Sequence, residues 1–211
     1  MQTYRPLHCY SGLNRLHRLA VKRLYLGLLI SLLLVSDVWA VFIFAPLQNR
    51  RSLALQVGSA GNTVNTVVFD VSGMTLAPNS VPVTGISDGP NTTPAGGVEV
   101  TLEAGLFAQT QVILTVDSSA GLSCVGGSGC GSTIIPFNTV SWTSFNNDAT
   151  YPTFDIQDGV FTGGSSQTLT NYYVNGGSVT MSNVLLFEYD NATLYPSGQY
   201  QGRVTFTASM P

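Results

Sequence analysis

The sequence predicts an all-β protein, a single antiparallel β-sandwich standing behind an N-terminal secretory leader. Three observations lead there. Beyond residue 63, apolar and polar residues alternate in one short segment after another, the period of a half-buried strand. Clusters of Gly, Asn, Pro and Ser separate those segments at regular spacing, as in an all-β sandwich. No stretch after residue 40 repeats its apolar residues at helical spacing.

The leader occupies residues 1–40. Its hydrophobic run, Leu24 to Val35 (LYLGLLISLLLV), carries no charge and follows Val21-Lys22-Arg23. Ser36-Asp37-Val38-Trp39-Ala40 comes next, with Val38 and Ala40 as the small residues a signal peptidase reads. The competing reading is an uncleaved anchor. Apolarity resumes in Val41-Phe42-Ile43-Phe44-Ala45, so 24–45 reaches the roughly 20 residues a bilayer span needs. Asp37 would cost such a span about 2.5–3.5 kcal/mol, which the leucines offset. Either way the basic end stays inside and residues 46–211 are exported, to a periplasm, a cell surface or the medium. Residues 1–20 form a long preface, and a start near Val21 would give a leader of ordinary length.

Residues 41–63 are read as an extended N-terminal segment, in which Leu53, Leu55 and Val57 alternate with Ala54 and Gln56. Residues 64–211 are read as the sandwich domain. Its first strand is Val64 to Val71, with Val67, Phe69 and Val71 on one face. A turn-rich stretch, 72–97, holds a short strand at Val81–Ile86. Strands follow around Val98–Ala104 and Val112–Val116. In STIIPFNTVSWTSF the residues Ile134, Val140 and Trp142 are expected to face the core, with Pro136 marking an edge or bulge. A weaker strand runs from Phe154 to Phe161, and another from Gln167 to Val174. Asn175-Gly176-Gly177 signals a turn into the long run Ser178–Tyr189. Gly198 to Met210 closes the chain as one strand. Eight to ten strands at this spacing suit an immunoglobulin-like sandwich.

Charge and cysteine usage exclude several classes. The whole chain has a formal charge of −3, but from Val41 onward three arginines stand against ten carboxylates, giving −7. A phosphate-rich partner would be repelled, so nucleic acid is not expected. Cys9 belongs to the leader, which leaves Cys124 and Cys130 in CVGGSGC to form a local disulfide in an oxidising compartment. Zinc lacks further ligands, because the exported part has no histidine and no third cysteine.

Catalytic devices are hard to find. Without histidine there is no ordinary base for a Ser or Cys nucleophile. Gly126 to Thr133 has the glycines of a phosphate loop without its lysine. The carboxylate pairs Asp155/Asp158 and Glu99/Glu103 read as a turn and a solvated strand face, rather than glycosidase machinery. Asn146-Asn147-Asp148 and Asp155–Asp158 are oxygen-rich loops that lack EF-hand spacing. Neither an enzyme nor a cofactor is expected. Asn91 and Asn191 open glycosylation triplets, common by chance in Asn/Thr-rich chains.

The terminal strand GQYQGRVTFTASMP places Tyr200, Val204, Phe206, Ala208 and Met210 on one side. An exported sandwich, a Gly-x-Tyr-x-Gly lead-in to this alternating C-terminal strand, and an alternating N-terminal segment together resemble the subunits of chaperone–usher pili. The resemblance implies an Ig-like fold. It implies that Leu53, Leu55 and Val57 are donor-strand positions that complete a neighbouring subunit's sheet, and that the Tyr200–Met210 row meets an export chaperone. The chain departs from the family at Met210, where many pilins have tyrosine, and in its tight Cys124–Cys130 loop. The C-terminal strand is also similar to β domains of Gram-positive surface proteins. The expected function is therefore a structural or adhesive surface subunit, fimbrial in kind, whose partners are copies of itself or related subunits. The alternative is a secreted carbohydrate-binding module in which Tyr172, Tyr173, Tyr189 and Tyr195 stack on glycan.

Overall fold

A computed structural model describes residues 51–58, 66–73, 81–89, 91–148 and 150–211. The predicted leader, its expected cleavage site and Cys9 lie outside the described residues. Among the described residues twelve strands follow one another: β1 Ser52–Val57, β2 Val67–Val71, β3 Val83–Thr84, β4 Ile86–Ser87, β5 Val98–Asp117, β6 Leu122–Cys124, β7 Ile134–Ile135, β8 Val140–Phe145, β9 Gly159–Val160, β10 Gln167–Tyr189, β11 Gly198–Gly202 and β12 Thr205–Ser209. Among the described residues there is no α-helix, and no helix long and apolar enough to cross a membrane.

The strands form two antiparallel sheets, an all-β sandwich. One sheet has seven strands in the order β1-β5-β10-β8-β9, with β12 also on β5 and β3 also on β10. The other has five, in the order β4-β2-β11-β6-β7. The inner faces meet through Val100, Leu102, Leu114, Leu185 and Tyr189 from the first sheet and Phe69, Val71, Leu122, Ile135 and Tyr200 from the second. These side chains are almost wholly removed from water, which is the main favourable term holding the layers together.

A long ribbon organises the first sheet. β5 and β10 pair from Val98 opposite Leu185 to Val116 opposite Gln167. The sequence suggests four strands here, and the expected inward residues of β5, Val98 to Ala104 and Val112 to Val116, are indeed buried. They belong to one continuous strand of 20 residues. Asn175-Gly176-Gly177 does not reverse the chain. Gly176 and Gly177 sit at φ +85° and +84°, and the pairing register shifts between Asn175 and Gly177. The inward set moves from Tyr172 and Val174 to Met181, Asn183 and Leu185, from even to odd positions. A bulge thus re-aims the second half of β10 at the core.

Two segments expected to be single strands cross from sheet to sheet instead. β3 pairs with β10 while β4 pairs with β2, with Gly85 at the corner donating its N–H to the Phe187 carbonyl at 2.8 Å. The C-terminal run divides likewise: β11 lies in the second sheet beside β2 and β6, and β12 lies in the first beside β5. At that corner a Cβ on Gly202 would come 2.5 Å from the Phe137 ring, so only glycine allows the close pass. Ile134 also differs from expectation, being 59% exposed while Ile135 is buried. Pro136 opens a 3₁₀ turn, Phe137–Thr139, which resets the alternation that Val140 and Trp142 keep further on.

Candidate functional site

The predicted donor strand and most of the predicted C-terminal row share one edge. Leu53, Leu55 and Val57 of β1 stand opposite Ala104, Leu102 and Val100 of β5 and pack half-buried on the core. The Gly58 N–H extends the ladder to the Glu99 carbonyl at 2.6 Å. Further along the same edge, Phe206 and Ala208 of β12 stand opposite Val116 and Leu114, with Val204 and Met210 also against the core. Between Gly105 and Ile113 no described strand pairs with that edge of β5. Tyr200 is not part of this surface. It is fully buried in β11, where its hydroxyl donates to the Pro196 carbonyl at 2.7 Å.

Cys124 and Cys130 form the expected disulfide, with Cα atoms 5.6 Å apart. Its loop rests on β11 through the Val125 N–H and the Ser128 hydroxyl, both donating to the Gln199 carbonyl. Closing so short a loop stabilises the fold by about 2 kcal/mol on the chain-entropy account.

A second feature lies on the far edge of β10, which meets β8 only from Val184 onward. From Gln167 to Asn183 no described strand pairs there, and the segment 150–158 runs alongside. Fully buried Asn183 fastens that segment. Its Oδ1 accepts from the Ile156 N–H at 3.0 Å, and its Nδ2 donates to Asn147 Oδ1 at 3.0 Å and Asp155 Oδ1 at 3.2 Å. Asp155 Oδ2 in turn accepts from the Asp148 N–H at 2.7 Å, and Thr170 Oγ1 donates to the Phe154 carbonyl at 3.0 Å. Asp158 holds a different place, accepting from the Ser144 N–H at 2.8 Å on β8. The oxygen-rich segments are thus bound into their own backbone, and no three His, Cys, Asp or Glu side chains gather at metal-binding distance among the described residues.

Between this segment and β10 opens a cleft of about 480 Å³. Asn146, Asp148, Tyr151, Phe154 and Asp155 line one side, and residues of β10 from Tyr173 to Ser182 line the other. Tyr151 stacks on Phe154 at 5.3 Å with planes 6° apart, and Phe154 stacks on Tyr172 at 4.4 Å. This row of rings carries core rigidity out to Tyr151, which is 55% exposed.

Comparison with protein-family models, curated proteins and solved structures gives no match for this chain. Its possible chemistry is therefore read from these residues alone.

Of the four tyrosines expected to meet glycan, Tyr172 and Tyr189 are buried and Tyr195 packs half-buried on the core. Burial pushes the Tyr172 phenol up to about 12. Burial does the same to Tyr189, to about 12, helped by the neighbouring Asp190 charge. Tyr173 alone of the four stands out from the surface, 57% exposed on the face of β10 opposite buried Tyr172. Tyr151, exposed at the cleft, carried no signal in the sequence, because the Thr150-Tyr151-Pro152 stretch has no strand period. Asn183 carried no signal either, being one asparagine in an Asn-rich chain. Among the glycosylation triplets, Asn91 is exposed and Asn191 is buried at 1% exposure.

Proposed function

We propose that this chain is an exported structural or adhesive surface subunit, an immunoglobulin-like sandwich that assembles by exchange of its N-terminal strand. The seating of β1 carries the reading. It lies at the chain's N-terminal side, runs along the outer edge of β5, and enters the core with three alternate apolar residues. Half-burial of two leucines and a valine contributes roughly 3 kcal/mol, and the ladder bonds fix its register. The same strand from a second copy would make the same contacts, which makes domain exchange a low-cost route to assembly.

Further support comes from the Cys124–Cys130 disulfide, which suits an oxidising compartment, and from the leader pattern of residues 1–40. The bond from the Tyr200 hydroxyl back to Pro196 is of the tyrosine-corner kind found in immunoglobulin-like sandwiches. Val204, Phe206, Ala208 and Met210 form the row that an export chaperone would hold before β12 closes on β5.

The test is light scattering after gel filtration on residues 41–211, with and without 41–57. Oligomers that become unstable monomers on deletion are the expected result. A stable monomer in both cases would mean that the sandwich is self-contained.

A further inference from the structure

We propose that Asn175 is a site of spontaneous amide loss, where the bulge of β10 lets the backbone nitrogen of Gly176 attack the side-chain carbonyl of Asn175. The assignment does not rest on strand exchange, which concerns the opposite edge of β5.

The reaction needs only solvent. The Gly176 nitrogen bonds to the side-chain carbonyl carbon of Asn175 and loses its proton. The amide C–N bond breaks, its nitrogen takes up that proton, and ammonia leaves a five-membered imide. Water then opens the imide at either carbonyl. One opening gives aspartate on the original main chain. The other gives isoaspartate, whose main chain runs through the side chain and is longer by one carbon. The nitrogen has to meet the side chain before it, so the step is easiest where the following residue lacks a Cβ and its backbone has freedom.

Asn175 is the only asparagine in the chain that precedes glycine. It is exposed and Gly176 is half-exposed, so solvent reaches both. The β5–β10 register passes from Asn175 opposite Gln109 to Gly177 opposite Leu106, and the ladder passes over Gly176. Gly176 and Gly177 sit at φ +85° and +84°, and a Cβ built on either would meet no atom within 4 Å. Space and backbone freedom coincide at the peptide that has to turn.

The fold closes two competing places. Asp158-Gly159 could form the same imide by loss of water. There the Asp158 carboxylate accepts from the Ser144 N–H at 2.8 Å, and a Cβ on Gly159 would come 2.5 Å from the Trp142 ring. Asn171, on the same strand as Asn175, accepts at its Oδ1 from Gln111 Nε2 at 2.8 Å and is followed by Tyr172. Amide loss at Asn175 puts a carboxylate on a strand that is uncharged from Gln167 to Phe187. The isoaspartyl form also lengthens the main chain where the bulge sets which residues of β10 face inward.

The test incubates the full chain, disulfide intact, in mildly alkaline buffer. Mass spectrometry of peptides cut at low pH, where the reaction stops, follows each asparagine, and enzymatic methylation specific for isoaspartate marks that product. The chain in urea is run in parallel. Within residues 91–211 of the folded chain, Asn175 is expected to lose its amide ahead of every other asparagine. Its rate should lie within about tenfold of the rate in urea. Asp158 should gain no methyl label. Asn175→Gln, whose side chain closes a less favourable six-membered ring, should remove the signal while circular dichroism shows the fold unchanged. The proposal is overturned if folded Asn175 keeps its amide as long as Asn171 does while the chain in urea converts, since the bulge would then be too rigid to turn. Equal labelling of Asp158 and Asn175 in the folded chain would overturn it too, because the fold would not be choosing between them. The oligomer measurement tests strand exchange separately, and neither result decides the other.

Discussion

Tyr172 and Tyr189 show how single buried side chains set the response of the fold to pH. A phenol is neutral below its pKa, and burial favours that neutral form. Unfolded tyrosine ionises near pH 10, whereas both residues hold their proton to about 12 in the fold. Their contribution is therefore complete below about pH 10 and is lost as the pH rises from there to about 12. Ultraviolet titration should find that Tyr172 and Tyr189 ionise only toward pH 12, as the protein unfolds. If both ionise near pH 10 with the sandwich intact, this account is wrong. Trp142 is legible in the sequence as a core residue. Only the fold shows its indole N–H donating to the Gln157 carbonyl at 2.8 Å and its ring 4.8 Å from Phe161.

Within β10, Gly176 and Gly177 do not make the turn that the sequence suggests and form a bulge instead. A glycine pair after asparagine is a sound hairpin signal when the flanking runs pair with each other. Here both runs pair with β5, and the glycines absorb the register shift. Replacing both by alanine should destabilise the protein by about 2 kcal/mol or more, since L residues resist positive φ. Urea unfolding gives the value. A loss below a few tenths would mean that the bulge relaxes freely and does not direct the buried side chains of β10. The C-terminal run teaches the same point. Its alternation from Tyr200 to Met210 is real, and all five residues face the interior, yet the corner after Gly202 deals them to two sheets. Hydrophobic period reports which side is buried and says nothing about which neighbour covers it.

For the molecule as a whole, the proposed export route makes a mass prediction. A chain cleaved after Ala40 should give a mature N-terminus at Val41 in intact-mass or peptide data. Detection of residues 24–40 in the accumulated protein would instead favour the anchored form. Net charge matters at this scale too. With three arginines against ten carboxylates after residue 40, copies of the sandwich repel weakly at long range, so the proposed assembly would have to come from short-range strand contacts.

By itself the sequence determined that the described residues are all-β, that Cys124 pairs with Cys130, and which residues of β1, β5 and β12 face inward. Those are consequences of local alternation, turn chemistry and cysteine spacing, each readable within a few residues. The tertiary structure decided the rest. It joined the predicted strands into the β5–β10 ribbon, split others at Gly85 and Gly202, and seated β1 and β12 on one edge. It also used Asn183 to hold the loop that carries Phe154 onto Tyr172. Strand partners and clefts depend on contacts between residues distant in sequence, and those contacts exist only once the two sheets have closed on a common core.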